Sequence, residues 1–352
     1  MFARVYGFGI VGLGLIAKFH AKAIKAMKKG KLVACCSRSQ AKADIFAKKY
    51  NCTGYSSIRE FCSHPGLDIV TICTPSGAHL EPSLKIAETN KHLIVEKPLE
   101  ISLERCDKII ESCEKNKVKL AGIFPSRFHD IAKIIKNTIN EGKFGKLVLG
   151  DAYVKWYRSQ EYYDKGGWHG TWELDGGGAL MNQSIHAIDL LQYFMGPVEF
   201  VQSFTNIVGH KRIKVEDNAV AIVRFKNEAL GVIEGSTSVY PGFLKRIEIH
   251  GTKGSAIMEE ESLRAWSFVS EKSEDKIIKK RFAVQTETGG GGASDPAAIR
   301  FHGHQRQFED MVKALETDSK PLVDGYEARK AVEIILAIYK SAREGKKVKL
   351  PL

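Results

Sequence analysis

The chain has 352 residues, 43% hydrophobic and 27% charged, a balance that excludes disordered and fibrous classes. Its formal net charge is +12, yet the lysines are scattered along helical stretches (Lys22, Lys25, Lys28, Lys29, then Lys42, Lys48, Lys49) without an aromatic-interleaved basic stripe. A nucleic-acid partner is therefore not expected, and the charge favours an anionic small ligand instead. No apolar run nears the ~20 residues that span a bilayer, so no membrane partner is expected.

A chain of this length suggests two domains, each with its own core. Seven cysteines (Cys35, Cys36, Cys52, Cys62, Cys73, Cys106, Cys113) all fall in the first third. Their odd number and irregular spacing predict free thiols, a cytoplasmic location and no metal site. The stretch from Val5 to Ala17 imitates a signal peptide, but Gly7, Gly9, Gly12 and Gly14 punctuate it, and a strand with a glycine loop explains it better.

In chain order, apolar runs at 5–11, 32–36, 69–73, 92–95 and 118–121 alternate with helical patterns at 17–29, 40–50 and 80–89. This alternation predicts a parallel, doubly wound Rossmann domain over 1–122. From about residue 146 the strand runs come closer together, at 147–156, 199–208, 219–226, 231–239, 245–250 and 256–259. Lys226-Asn227-Glu228-Ala229 and Gly251-Thr252-Lys253-Gly254 read as hairpin turns. Residues 123–352 are thus expected to form an α+β domain with an open, mostly antiparallel sheet. One face would pack on helices, leaving the other for a subunit interface. A glycine run at 289–292 predicts a flexible loop reaching to about 299, before amphipathic helices over 305–315 and 326–343.

Five places carry chemistry. Gly12-Leu13-Gly14-Leu15-Ile16-Ala17 follows the first strand and opens the first helix. There Gly12 permits the tight turn, Gly14 lets backbone approach a pyrophosphate, and the helix N-terminus offers free N–H groups to it. After the second strand the chain reads Cys36-Ser37-Arg38-Ser39, with no acid for a ribose hydroxyl; Arg38 and Ser37 would suit a 2′-phosphate, so the reading leans to NADP over NAD. Ser39 also suits a helix cap, and Arg38 could instead lie on the adenine. After the third long strand, Thr74 and Pro75 shape a loop beside the nicotinamide. His79 is either an ordinary first helix residue or a ligand contact. Next, Glu96-Lys97-Pro98 ends an apolar strand at the sheet edge where ligands bind, with Pro98 restricting the backbone of Lys97.

The fifth place is the segment 176–189, where Gly176, Gly177 and Gly178 let backbone pass close to something and a helix follows. Asn182 and His186 are four residues apart and share a face, with Asp189 one turn on, so these three predict a polar ridge. Trp156, Arg158, Tyr162, Tyr163, Trp168, His169 and Trp172, with Arg127 upstream, are candidate sugar contacts through aromatic faces and cationic groups.

The glycine turn, the Glu96-Lys97-Pro98 step and the 176–189 segment, in this order and spacing, resemble the glucose–fructose oxidoreductase/inositol dehydrogenase/MocA family over nearly the whole chain. The resemblance implies a dehydrogenase or reductase that moves hydride between NAD(P) and a sugar, sugar derivative or cyclitol. It also implies dimers or tetramers, and proton transfer by Lys97 and His186. Many members carry aspartate four residues before the histidine, where this chain has Asn182, which orients a hydroxyl but cannot ionise. Glu96 would tune Lys97, and both residues would also touch the cofactor. Two other activities fit the same fold: a glycosidase acting through transient C3 oxidation, and a non-catalytic dinucleotide sensor or repressor.

Overall fold

The computed structural model describes residues 4–165, 167–284 and 301–352. In chain order come β1 (Tyr6–Val11), α1 (Leu15–Ala26), β2 (Gly30–Cys36), α2 (Gln40–Tyr50), β3 (Thr53–Tyr55) and α3 (Ile58–Cys62). They are followed by β4 (Ile69–Ile72), α4 (Leu80–Ala87), β5 (His92–Val95), α5 (Leu103–Lys115), β6 (Leu120–Gly122), α6 (Asp130–Asn140), β7 (Leu147–Lys155) and α7 (Gln160–Lys165). Next are α8 (Ile185–Met195), β8 (Val198–Asn206), β9 (Asn218–Phe225), β10 (Leu230–Ser236), β11 (Arg246–Gly251), β12 (Gly254–Glu259) and β13 (Ser262–Phe268). The chain closes with α9 (Ser273–Arg281), α10 (His302–Glu316), α11 (Gly325–Glu344) and β14 (Val348–Lys349).

These elements make two compact units. The first holds the described residues up to Pro125, then Glu173–Gly176, and from 301 to Val332; the second holds the rest. In the first unit six parallel strands stand in the order β3-β2-β1-β4-β5-β6, the doubly wound order expected from the alternation. Helices cover the sheet, so β1, β4 and β6 are buried along their whole length, which is why their sequences are continuous apolar runs. Side-chain caps start three helices, with Ser39, Ser57 and Ser102 accepting from Lys42, Glu60 and Arg105 N–H groups. The first helix runs over 15–26 rather than 17–29, because Met27 leaves helical backbone at φ −77°, ψ 143°. The chain returns to this unit through α10, whose Phe308, Met311 and Val312 join Ala17, Ala21 and Ile24 of α1 in one core. Burying each of the larger ones, Ile24, Phe308, Met311 and Val312, contributes roughly 1.5–3 kcal/mol.

In the second unit eight strands follow the order β13-β12-β11-β7-β10-β9-β8-β14. All pairs are antiparallel except β7 with β10, which are far apart in sequence and meet through a crossover. Both expected hairpin turns join neighbouring strands, β9 to β10 and β11 to β12, and Glu228 takes the left-handed φ of 73° that closes the first. The helix α8 packs on one face of the sheet, while Phe204, Val220, Ile222 and Leu230 lie exposed on the other. The predicted glycine loop at 289–299 lies outside the described residues.

Candidate active site

The first unit builds a nucleotide seat from the turn between β1 and α1. Gly12 sits at φ +88°, and a Cβ there would stand 2.7 Å from the carbonyl carbon of Cys73 and the nitrogen of Thr74, so only glycine fits. Gly14 precedes α1 without a side-chain cap, no acid lies in the first turn, and a Cβ built on Gly14 meets nothing within 4 Å. Leu15 and Ile16 open the helix with N–H groups suited to phosphate, and Ala17 is wholly buried. These features fit a dinucleotide pyrophosphate. Beyond β2, the Ser37 hydroxyl accepts from Ser39 N–H (3.3 Å), Arg38 is exposed, and Asp44 is held by Gln40 on α2 at 2.8 Å.

The loop after β4 is braced from within. Thr74 Oγ1 donates to Ala78 O at 2.8 Å, and Pro75 opens a short 3₁₀ turn over Ser76–Ala78. His79 is buried, its Nδ1 2.9 Å from Pro98 O and its Nε2 3.0 Å from Thr74 O. Each ring nitrogen thus faces a backbone carbonyl, one of which takes the ring N–H, and the histidine is a strut between the Thr74 loop and the turn after β5. From 93 to 100, Lys97 alone is not buried, at the carboxyl end of β5 and joined to Pro98 by a cis bond. Its N–H donates to Glu96 Oε2 at 2.9 Å. Glu96 Oε1 accepts from Nε2 of the fully enclosed His20 at 2.7 Å, and His304 Nε2 stands 3.7 Å from the same oxygen. Burial pushes the Glu96 carboxyl up, but its interactions with His20 and His304 outweigh it and hold it well below the carboxylate range. Neither histidine was legible in the sequence, since each lies on a helix face that otherwise packs as core.

In the second unit the glycine segment closes on the chain itself. A Cβ on Gly178 would stand 1.8 Å from Glu216 O, and one on Gly177 2.2 Å from the Tyr339 hydroxyl. The Glu216 carboxylate accepts from Gly178 N (2.9 Å), Leu180 N (2.8 Å) and the Tyr339 hydroxyl (2.8 Å), so it caps the helix from a distance. Burial pushes Glu216 up to about 7 against these donors. A π-helical turn over Ala179–Ser184 leads into α8. Between 175 and 192 every residue is buried except Asn182 and His186, which keeps them on the face that ligand can reach. Asp189 departs from the expected ridge: it is fully buried and takes Arg127 Nε and Nη2 at 2.8 and 2.6 Å. Arg127, read as a sugar contact, therefore commits its guanidinium to an internal ion pair, because two enclosed charges must neutralise one another.

The aromatic segment gathers beside Asn182. Asn182 Nδ2 lies 3.4 Å from His169 Nδ1; the His169 ring stacks on Tyr162 (4.7 Å) and meets Trp168 at 3.8 Å. Tyr163 packs edge-on against Tyr162 and sends its hydroxyl to Thr237 at 2.9 Å. Arg158, only 3% exposed, spans Trp156 (5.1 Å) and Tyr162 (5.7 Å) and donates to Gln183 Oε1 at 3.0 Å. Trp156 Nε1 is a buried donor without an acceptor among the described residues. Trp172 packs edge-on to Tyr339 at 5.2 Å instead of joining the cluster. Gln183, Glu216 and Tyr339 had no sequence signal, as each acts through a partner remote in the chain.

A glycine turn feeding an uncapped helix, within a parallel sheet of order 3-2-1-4-5-6, defines a dinucleotide-binding Rossmann domain. Known proteins narrow the class. Residues 6–124 match the model described as an oxidoreductase family with an NAD-binding Rossmann fold, and residues 133–257 match the GFO/IDH/MocA C-terminal domain. The chain belongs to the Gfo/Idh/MocA family of oxidoreductases. It is 26% identical to myo-inositol 2-dehydrogenase of Thermotoga maritima, with 97% of this chain and 98% of that protein covered. It is also 26% identical to scyllo-inositol 2-dehydrogenase (NAD(+)) of Bacillus subtilis, covering 97% and 95%. Among solved structures, the WlbA dehydrogenase of Bordetella pertussis, in complex with NADH and UDP-GlcNAcA, superposes with a TM-score of 0.89 at 30% identity, covering 100% of this chain and 99% of that one. Among the described residues no helix is long and apolar enough to cross a membrane.

Proposed function

We propose that this oxidoreductase moves hydride between NAD(P) and a hydroxyl-bearing carbon of a nucleotide-linked sugar acid, with Lys97 and His186 handling the substrate proton. The observation that carries the reading is Lys97, the one accessible residue at the carboxyl end of β5, the edge where open α/β sheets bind ligands. The bound nicotinamide would supply the hydride acceptor. Gly12, Gly14, Leu15 and Ile16 would hold the pyrophosphate, Ser37 and Arg38 the adenosine ribose, and Thr74 and Pro75 the nicotinamide end. On the substrate side, His186 takes the hydroxyl proton and Lys97 hydrogen-bonds the same oxygen, steadying its developing charge. Asn182 orients the hydroxyl without sharing a proton. Trp156, Arg158 and Trp168 are offered as sugar contacts, and the unpaired Trp156 N–H supports this for Trp156.

The sugar acid is favoured by the UDP-GlcNAcA held by a relative that matches this chain end to end, and by the +12 charge. A free cyclitol is the second reading, favoured by the inositol dehydrogenases. Arg38 and the lack of an acid after β2 put NADP first; the NADH bound to the WlbA dehydrogenase supports NAD. The test is turnover of UDP-GlcNAcA, myo-inositol and scyllo-inositol with NAD⁺ and NADP⁺ side by side, with a continuous rise in reduced-nucleotide absorbance expected. Cleavage of a glycoside without net absorbance change would point to the glycosidase chemistry, and ligand binding with neither product to a sensor. We further propose that a second copy covers the apolar face of the second unit's sheet, and that the seven free thiols belong to a cytoplasmic protein.

A further inference from the structure

We propose that His20, Glu96 and His304 form a buried positioning relay, which fixes Lys97 from the nucleotide-binding helix and keeps a permanent negative charge beside it. Its functional meaning rests on Lys97 handling the substrate proton.

From α1 to the backbone of Lys97 the relay is continuous in hydrogen bonds, with His304 standing 3.7 Å from Glu96 beside it. His20 lies on α1, and its Nε2 is 2.7 Å from Glu96 Oε1. With the proton on that nitrogen, Nδ1 is left to accept, and it faces two donors: Thr71 Oγ1 at 2.7 Å and Cys73 Sγ at 3.2 Å. Tautomer and ring orientation are thus set by β4 and by the thiol just beyond it. The other carboxylate oxygen of Glu96 accepts the Lys97 N–H, so each oxygen holds one side of the relay. His304 closes it from α10, its ring 5.3 Å from that of His20, while Phe308 lies edge-on to His20 at 5.1 Å. Burial pushes His20 down, so it stays neutral and donates. Cys73 is pushed well up, chiefly by burial and also by the Glu96 charge, so the thiol remains a donor too. Glu96 thus keeps a fixed negative charge one residue from Lys97.

Two histidines and a carboxylate are also a metal-ligand set, and these atoms lie within 4.8 Å of one another. Ligands sharing a tetrahedral ion at ~2.0–2.2 Å stand roughly 3.3 Å apart. The 2.7 Å between His20 and Glu96 is instead a direct, charge-assisted hydrogen bond. These three are positioning residues, since Lys97 is the group that would meet substrate.

The experiment reads Lys97 without turnover. Trace labelling by acetic anhydride across pH, with peptide mass spectrometry, gives the midpoint at which Lys97 loses its proton, and NADH fluorescence gives nucleotide affinity. Glu96→Gln is expected to lower the midpoint by about one pH unit by removing a neighbouring anion, with NADH affinity within about threefold of the parent. Glu96→Asp, which keeps the charge, should restore it. Should Glu96→Gln not fold, His20→Phe removes the donor that keeps Glu96 ionised and should move the midpoint in the same direction. An unmoved midpoint in the folded variants overturns the proposal, as does stoichiometric divalent metal in the purified protein. Turnover by Lys97→Met separates the two readings: activity there removes the catalytic role of Lys97 whatever the labelling shows.

Discussion

Glu96 and Glu216 are both buried carboxyls, yet their neighbours drive them apart. Two histidines hold Glu96 ionised, whereas Glu216, capped by two backbone N–H groups and a tyrosine, is pushed up to about 7 by burial. A carboxyl whose folded-state value is raised favours the protonated folded form, so its stabilisation is present at low pH and is lost as pH rises from about 4.5 to about 7. The loss is on the order of 3 kcal/mol. Glu216→Gln should flatten this slope, read as the difference in thermal midpoint between variant and parent at pH 5 and pH 8; parallel curves would contradict it. At the same scale, Lys97→Met should lower kcat at least 10³-fold while NADH still binds near normally. Loss of nucleotide binding in that variant would count against its role.

At the scale of elements, buried pairs decide how segments are tied. Arg127, in a short turn before α6, clamps Asp189 on α8 with two hydrogen bonds, both residues enclosed. Arg127→Met would leave the aspartate buried and uncompensated, a cost of about 3–5 kcal/mol. Urea unfolding measures it, and a change under 1 kcal/mol would mean the pair is dispensable. The start of the π-helical turn tolerates no side chain. Gly178→Ala drives a Cβ into the carbonyl of Glu216 and should either unfold the protein or displace His186, cutting kcat while leaving NADH affinity intact. The pattern of residues foretold that glycines here let backbone approach closely. It did not foretell that the neighbour is the chain's own Glu216, because that pairing joins residues thirty-eight positions apart.

For the molecule as a whole, the apolar outer face of the eight-stranded sheet matters most. Phe204 pairs with Val220 across β8 and β9, and Ile222 with Val232 across β9 and β10; Phe204 is 80% and Ile222 59% exposed. This is the face proposed above to be covered by a second copy. Ile222→Lys should therefore convert a dimer or larger assembly to monomer in light scattering, without loss of the parent's circular dichroism. A parent that is already monomeric would refute the interface.

Strand and helix alternation, the glycine turn and the hairpin signals are local, each written in a few adjacent residues. That is why the sequence alone determined the doubly wound sheet, the antiparallel sheet that follows, and the places of Gly12, Lys97 and His186. The short β3 and β14 and the strand β13 escaped, having too few residues or too little flanking signal to set a period. What only the tertiary structure decided is which polar groups face inward. His79 became a strut, Arg127 and Asp189 became an internal pair, and His20 and His304 were brought onto Glu96 from helices that begin 287 residues apart, at 15 and 302. A buried polar group must find its partner wherever folding delivers one, and that partner leaves no periodic trace in the chain.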